Sequence, residues 1–238
     1  ANYSALPIPT DQDFTDITLP TGVSVKVLEP CMSYALGYDD GERLRADLRF
    51  DGVTPPEALT AAGSTFGSAH HFDQFGRVSG EIVLHGERIA IDCLAMRDRT
   101  WGRRPENRPR QAAYITGMAN PASGFLAVTN VRTEGDHVAY GFLRTEGRNI
   151  GLAGGERKVE RNPDTGITRR IELQLVDQEG RKATAVGEPV SSIVINRHTF
   201  IDINSLVRWD LDGETAWGEE QDMWPMHRFA AMRRAMRG

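Results

Sequence analysis

Strict alternation of apolar and charged side chains over residues 43–50 is the feature that most limits how this chain can fold. Every even position from 44 to 50 is apolar, and every odd position from 43 to 49 is charged. The preceding Asp39-Asp40-Gly41 has the composition of a tight turn, so residues 33–50 are predicted to form a β-hairpin with one buried face. The whole chain contains about fourteen strand candidates at short spacing, without the alternating helices of a parallel sheet. We therefore predict an all-β, antiparallel sandwich or barrel fold.

Two β-rich halves flank the segment 103–110, which has two prolines, four arginines and no apolar residue. The tetrapeptides 99–102 and 215–218 both end in Trp-Gly, and each closes a β-rich run of comparable length. This echo favours two related β units over one continuous sheet. We predict them over residues 1–104 and 105–238.

One helix is predicted, over residues 224–237 at the C-terminal end. Pro225 suits a first helical turn, and apolar residues at 226, 229, 230 and 236 form a stripe. We expect this helix to pack against the second β unit, although its arginine-rich face leaves a membrane-surface role open.

The charge balance argues against a nucleic-acid partner. The formal net charge of the 238 residues is -5, whereas nucleic-acid binding normally requires a basic face.

Mean hydropathy is -0.42, and no window approaches the roughly 18 consecutive apolar residues of a membrane span. The first residues have neither a basic region nor an apolar region, so no signal peptide is expected, although the sequence lacks a starting Met.

The two cysteines, Cys31 and Cys93, are too few for a disulfide framework in a chain of this length. A reducing, cytoplasmic setting is therefore predicted. Each cysteine has apolar neighbours, and neither has a neighbouring histidine of the kind that activates a nucleophilic cysteine. Both are therefore predicted to be buried.

The segments 71–80, 92–93 and 97–102 resemble the hydroxyneurosporene-synthase-like group. This group includes the AttH and carotenoid 1,2-hydratase-like proteins, with tocopherol cyclase and certain fungal Diels-Alderases as more distant relatives. Residues 217–224 look like its closing segment, and the likeness covers roughly residues 23–226. The resemblance implies two packed lipocalin-like β-barrels and cofactor-free hydration, cyclisation or isomerisation of hydrophobic, unsaturated molecules. This chain is shorter at its N-terminus than typical members, which leaves open whether the first barrel is complete.

Asp98 is the first candidate for a catalytic acid, because it lies between Arg97 and Arg99 and close to Trp101. In a dry pocket it would hold a proton at neutral pH and deliver it to an alkene or enol, while Trp101 stabilised the resulting cation. An arginine turned towards Asp98 would instead keep it ionised as a base. On a regular strand, however, both arginines project from the opposite face. The structural alternative is that one arginine packs over Trp101 and closes a lipocalin-like barrel.

His71 and Asp73 share one face of an extended strand, so the carboxylate would orient the imidazole for proton transfer. A hydrogen-bonded structural histidine is the alternative. The neighbouring His70 points to the other side, and no third ligand lies at a recognisable spacing. We therefore predict no metal site.

Other aromatic and polar residues are candidates for substrate contacts. Trp101 and Tyr140 are predicted to shape the pocket. Trp217 is an aromatic that either packs or holds a flat ligand, and His198 belongs to a polar row that either lines a pocket or faces solvent. Nucleotide and nicotinamide fingerprints are missing, so no cofactor is predicted.

These observations predict a cofactor-independent lyase, hydratase or isomerase that acts on a small hydrophobic, unsaturated molecule of aromatic or terpenoid type. Asp98 would act as acid or base, His71 with Asp73 as a second proton-transfer group, and Arg97 or Arg99 would stabilise negative charge. A non-catalytic carrier of a hydrophobic ligand is the alternative, because fold does not imply function. A homodimer is left open.

Overall fold

The structure is a computed structural model that describes residues 13–58, 70–102, 111–132, 135–197 and 200–236. These ranges contain fifteen β-strands followed by one α-helix, which confirms the all-β prediction. The elements are β1 (Asp16–Thr18), β2 (Val23–Glu29), β3 (Ser33–Asp39), β4 (Leu44–Gly52), β5 (Glu57–Ala58), β6 (His70–Leu84), β7 (Glu87–Trp101), β8 (Ala112–Asn120), β9 (Ser123–Arg132), β10 (Gly135–Thr145), β11 (Arg148–Arg161), β12 (Thr168–Asp177), β13 (Lys182–Asn196), β14 (Phe200–Leu211), β15 (Glu214–Pro225) and α1 (Met226–Met236).

Seven strands form one sheet in the order β1-β2-β3-β4-β6-β5, with β7 paired to β6. The hairpin predicted over residues 33–50 is confirmed, because β3 and β4 pair antiparallel. Its turn is closed by the Asp40 carboxylate, which accepts hydrogen bonds from the backbone N–H groups of Arg43 and Leu44 at 3.0 and 2.8 Å. The turn chemistry thus fixes the register that buries the even-numbered face of β4.

A long hairpin is formed by β6 and β7, which have 15 residues each. Its turn lies at His85 and Gly86, and both have left-handed backbone angles, with φ of 49° and 86°. At the other end of the hairpin the strands extend to His70 and Trp101. The end of the hairpin remote from the turn therefore carries most of the predicted catalytic residues.

The other eight strands close into a barrel in the order β10-β11-β12-β13-β14-β15-β8-β9. Apolar side chains fill much of its interior, and the rings of Phe125 and Trp209 meet edge to face with centroids 5.3 Å apart. The Trp209 ring lies over Gly187, where an added Cβ would come within 2.4 Å of it. This part of the barrel is therefore a packed core.

The chain divides into two compact units. The first consists of Ala1–Glu57 and Asp73–Arg97, and the second of Ala58–Phe72 and Asp98–Gly238. The barrel and the helix belong to the second unit. The predicted boundary between residues 104 and 105 lies outside the described residues, so a division at that point stays a prediction.

The C-terminal helix begins at Met226, two residues later than predicted. Trp224 and Pro225 still pair with β14 as the last residues of β15, and this tertiary pairing overrides the helical pattern of the sequence. The Trp224 ring then packs edge-on against Phe229 of α1, with centroids 6.1 Å apart, so the helix packs on the barrel unit as expected. Among the described residues, no helix combines the length and the apolar character needed to cross a membrane.

Both cysteines are exposed, so the prediction that they are buried is wrong. Cys31 occupies a turn between β2 and β3, where its φ is 66°. Cys93 lies on β7, where residues 87–90 are exposed as well. Apolar neighbours in sequence did not indicate burial because neither location belongs to a closely covered sheet face.

Candidate functional site

The end of the β6–β7 hairpin brings the predicted proton-transfer residues together. His71 is nearly buried, with its side chain 3% exposed, and its Nδ1 lies 2.6 Å from Thr100 Oγ1. The same Nδ1 lies 3.7 Å from Asp98 Oδ1, and the Asp98 side chain is 49% exposed. A buried imidazole therefore stands beside a carboxylate that solvent and small molecules can reach.

The contact with Thr100 is compatible with either neutral tautomer of His71. A hydroxyl can either donate to an imidazole nitrogen or accept from it, so one geometry serves both neutral tautomers of His71. The separation of Nδ1 from the Asp98 oxygen exceeds a direct hydrogen bond but lies within ion-pair range. The Asp98 carboxylate can thus stabilise an imidazolium by its charge while it remains accessible to solvent.

Asp73 adds a second carboxylate two residues along β6 from His71. It is fully buried, at 0% exposed. His71, Asp73 and Asp98 each offer a ligand atom, and these atoms lie within 4.8 Å of one another. The third group that the sequence spacing did not reveal is Asp98, which strand pairing brings in from β7. One imidazole and two carboxylates form a donor set that a divalent cation can accept.

Arg99 and Trp101 lie on the other face of the hairpin from Asp98 and Thr100, because side chains alternate along a strand. The Arg99 guanidinium lies 5.8 Å from the Trp101 ring centroid. The Trp101 ring in turn stacks on His70 with centroids 5.4 Å apart and is 46% exposed overall. The packing of Arg99 over Trp101 matches the structural alternative to a catalytic role, in which an arginine covers Trp101.

Arg97 is held by the first unit. Its guanidinium lies 4.2 Å from the Tyr34 ring centroid and donates a hydrogen bond of 3.0 Å to Gln74 Oε1. Gln74 is fully buried, and its amide nitrogen donates to the backbone carbonyls of Cys31 and Thr54 at 2.7 Å each. These contacts make Arg97 part of a structural brace.

The predicted substrate-binding residues are dispersed. Tyr140 is 8% exposed on β10 and pairs with Val128. The pairing of β10 with β9 shifts register between Val138 and Tyr140, so these two side chains lie on different faces of β10. Val138 belongs to the barrel core, and Tyr140 therefore lies on the face opposite to it. Trp217 is 49% exposed on β15, three strands away around the barrel. His198 lies outside the described residues.

A buried ion cluster in the barrel was not predicted from the sequence. Arg157 of β11 forms ion pairs with Asp136 and Glu220, and with Asp222 at 3.2 Å. Arg161 pairs with Asp222 at 2.7 Å. Glu220 and Asp222 are 0% and 1% exposed. The sequence did contain one signal for the burial of Glu220 and Asp222. Both have even numbers, like the core residue Ala216, and period-two alternation therefore puts all three on the inward face of β15.

The cluster shifts the ionisation of its members in opposite directions. Burial raises the pKa of the Glu220 carboxyl, and the charge of Arg157 only partly opposes this. Burial also acts to raise the pKa of Asp222, but Arg157 and Arg161 together hold it below its usual value. For Arg157, burial acts to lower the pKa. The surrounding carboxylates raise the pKa by more than burial lowers it, so the net shift is upwards. The guanidinium is therefore charged at any physiological pH.

Comparison with known proteins identifies a family and a fold. No curated protein matches this chain. The crystal structure of a "putative AttH" from Nitrosomonas europaea is similar, with a TM-score of 0.63 and 15% identity over 88% of this chain and 70% of that one. At this identity the likeness shows the AttH-like, lipocalin-like fold alone. Residues 1–225 match a family model described as a domain of unknown function, DUF7064. Because this match spans most of the sequence, the chain belongs to the DUF7064 family.

Proposed function

We propose that this protein is a cofactor-independent lyase, hydratase or isomerase that transfers protons to and from a small hydrophobic, unsaturated molecule. The observation that carries the proposal is the buried His71 ring, which lies 2.6 Å from Thr100 Oγ1 and 3.7 Å from the half-exposed Asp98 carboxylate. Titratable groups in this arrangement are typical of acid–base sites. The lipocalin-like fold supports the ligand class, because such folds commonly hold apolar molecules.

The chemistry needs one acid and one base. A proton passes from the acid to one carbon of an alkene or enol and leaves a cation on the adjacent carbon. Water then adds and gives up a proton, which completes a hydration, or a neighbouring carbon loses a proton, which completes an isomerisation. In either route one proton enters and one leaves. Asp98 takes the solvent-facing part of this exchange, while His71, with Asp73 beside it, is the second proton-transfer group.

Trp101 is a proposed substrate contact that the proton-transfer step does not require. Its exposed ring, stacked on His70, lies at the same end of the hairpin as Asp98 but on the other face. Such an aromatic ring attracts flat or cationic groups. Tyr140 and Trp217 remain proposed ligand contacts, and neither is needed for the proton-transfer step.

The test is mass spectrometry of unsaturated terpenoid and phenolic compounds incubated with the protein in deuterated water. We expect added water or incorporated deuterium in at least one compound. Asp98→Asn should lower turnover by about 10²–10⁴-fold, the usual contribution of a positioned acid or base. Asp92→Asn is the matched control, because Asp92 lies on the same face of β7, is exposed and pairs only with Arg77 among the described residues.

Three results would change the assignment. If Asp98→Asn turns over normally while Asp73→Asn is inactive, the roles are wrong although the reaction class stands. If compounds bind tightly but return unchanged in mass and isotope content, the protein is a carrier for that panel. If a chelator abolishes turnover and a divalent cation restores it, the proposal of cofactor independence fails and His71, Asp73 and Asp98 become metal ligands.

A further inference from the structure

A cavity opens at one end of the barrel, within the second unit. Its volume is about 610 Å³, which lies in the range of roughly 300–1,000 Å³ typical of small-molecule sites. Residues from the β8–β9, β10–β11, β12–β13 and β14–β15 connections form its rim. Tight turns of this kind make a well-defined opening.

The floor of the cavity is apolar. Leu143, Ala183 and Leu211 line it, and all three also belong to the hydrophobic core of the barrel. They are 4–5% exposed, so the core closes the cavity from below. An apolar group that entered would replace water against these side chains and would be stabilised by its burial.

The wall carries Arg144, which is only 6% exposed. Its Nε donates a hydrogen bond of 2.7 Å to the carbonyl oxygen of Pro121, and its Nη1 donates one of 2.9 Å to Asn149 Oδ1. Both acceptors are neutral. Among the described residues, no carboxylate lies within ion-pair distance of Arg144 and no acceptor is bonded to its Nη2. This differs from Arg157, the other arginine that is buried among the described residues, which pairs with three carboxylates.

A buried guanidinium without a counter-charge is unfavourable, because removal of a charge from water is costly unless an opposite charge is near. Burial lowers the pKa of Arg144. An arginine titrates so far above neutrality that this side chain nevertheless stays charged. An anionic ligand group next to Nη2 would supply the missing counter-charge.

The surrounding charges select the kind of anion. The other charged residues that line the cavity are the acidic Glu146, Asp212 and Glu214 and the basic Arg181 and Lys182, of which Arg181 already pairs with Asp177 and Glu179. Because these five side chains carry a net negative charge, they disfavour a multiply charged group such as phosphate. One guanidinium balances one negative charge, and its planar edge matches the two oxygens of a carboxylate. The apolar floor requires an attached hydrocarbon part.

We propose that this cavity binds an amphipathic monocarboxylate, with the carboxylate on Arg144 and the hydrocarbon part against Leu143, Ala183 and Leu211. This site is separate from the acid–base site of the hairpin. Neither His71 nor Asp98 lines the cavity.

The test uses octanoate, octanol and inorganic phosphate as probes in isothermal titration calorimetry with the full chain. We expect octanoate to bind at least about tenfold more tightly than octanol, which corresponds to about 1.4 kcal/mol. Phosphate should neither bind measurably nor compete. Arg144→Met should remove the preference for octanoate, whereas Arg148→Met should keep it. Arg148 is a fair control because it lies just beyond the same hairpin turn, is 60% exposed and pairs with Glu179 at 3.5 Å.

A measurement on the unaltered protein guards against a variant that does not fold. Octanoate should shift the methyl resonances of Leu143, Ala183 and Leu211 in the nuclear magnetic resonance spectrum. The proposal is overturned if octanol binds as tightly as octanoate, if these methyl groups do not respond, or if a folded Arg144→Met variant keeps the preference. Competition by phosphate would show a free-anion site and would also overturn it.

Discussion

Substitution of Arg157 by Met should destabilise the barrel strongly, because it removes the central cation of a buried cluster. Arg157 is 6% exposed and contacts three carboxylates, of which Glu220 and Asp222 are almost completely buried. Methionine has a similar length, so lost packing makes a small contribution. Asp222 keeps its ion pair with Arg161 at 2.7 Å, but among the described residues Glu220 keeps no cation within ion-pair distance.

Loss of one partner of a buried ion pair typically lowers the free energy of unfolding by about 3–5 kcal/mol. For a protein of 150–250 residues, each kcal/mol shifts Tm by about 2–4 °C, so Tm should fall by about 6–20 °C. The control is Arg170→Met, because Arg170 is 37% exposed and its nearest partner is Glu172 at 3.2 Å. An exposed ion pair of this kind contributes only about 0–1 kcal/mol.

Urea unfolding followed by circular dichroism at pH 5 and pH 8 gives the two free energies for each variant. Burial raises the pKa of Glu220, and the loss of Arg157 removes the charge that opposes this shift. A group whose pKa is raised on folding favours the folded state at low pH and loses that contribution as pH rises through its folded value. The deficit of Arg157→Met should therefore be larger at pH 8 than at pH 5. A deficit equal to that of Arg170→Met, or one independent of pH, would refute this account of the cluster.

Two further perturbations test the barrel and its turns. Gly187→Ala should lower the free energy of unfolding by about 1–3 kcal/mol, because its Cβ would lie 2.4 Å from the Trp209 ring. Gly154→Ala, where no atom lies within 4 Å of the added Cβ, should not show this loss in the same urea titration. Burial acts to raise the pKa of Asp177, but hydrogen bonds from Arg181 hold it below its usual value. Its contribution is thus present above the unfolded pKa of about 3.9 and is lost as pH falls through the folded pKa, so acid unfolding should be less steep in Asp177→Asn.

Local patterns explain which parts of the fold could be predicted. The hairpin over residues 33–50 was predictable because alternation and the Asp40 turn act within a few residues of each other. The start of the helix was not, because Trp224 and Pro225 are held in β15 by pairing with a strand distant in sequence. Tertiary pairing overrides local preference at such ends.

The candidate site shows the same division. Period-two geometry predicted that His71 and Asp73 share a face, but only the pairing of β6 with β7 brings Asp98 to them. Alternation within a single strand does not by itself show which residues of two strands are paired, because register also depends on the turn between them. The ion cluster was missed for a similar reason, because Arg157 and Glu220 are 63 residues apart in sequence and meet only when the barrel closes.

The two proposed sites can be separated by one pair of variants, because they place different demands on the second unit. Proton transfer requires groups that change charge, so Asp98→Asn should remove turnover and leave octanoate binding intact. Carboxylate binding requires a group that keeps its charge, so Arg144→Met should remove the octanoate preference and leave turnover intact. If instead each substitution affected both measurements, the acid–base residues and the barrel cavity would serve one ligand. The carboxylate on Arg144 would then belong to the substrate itself.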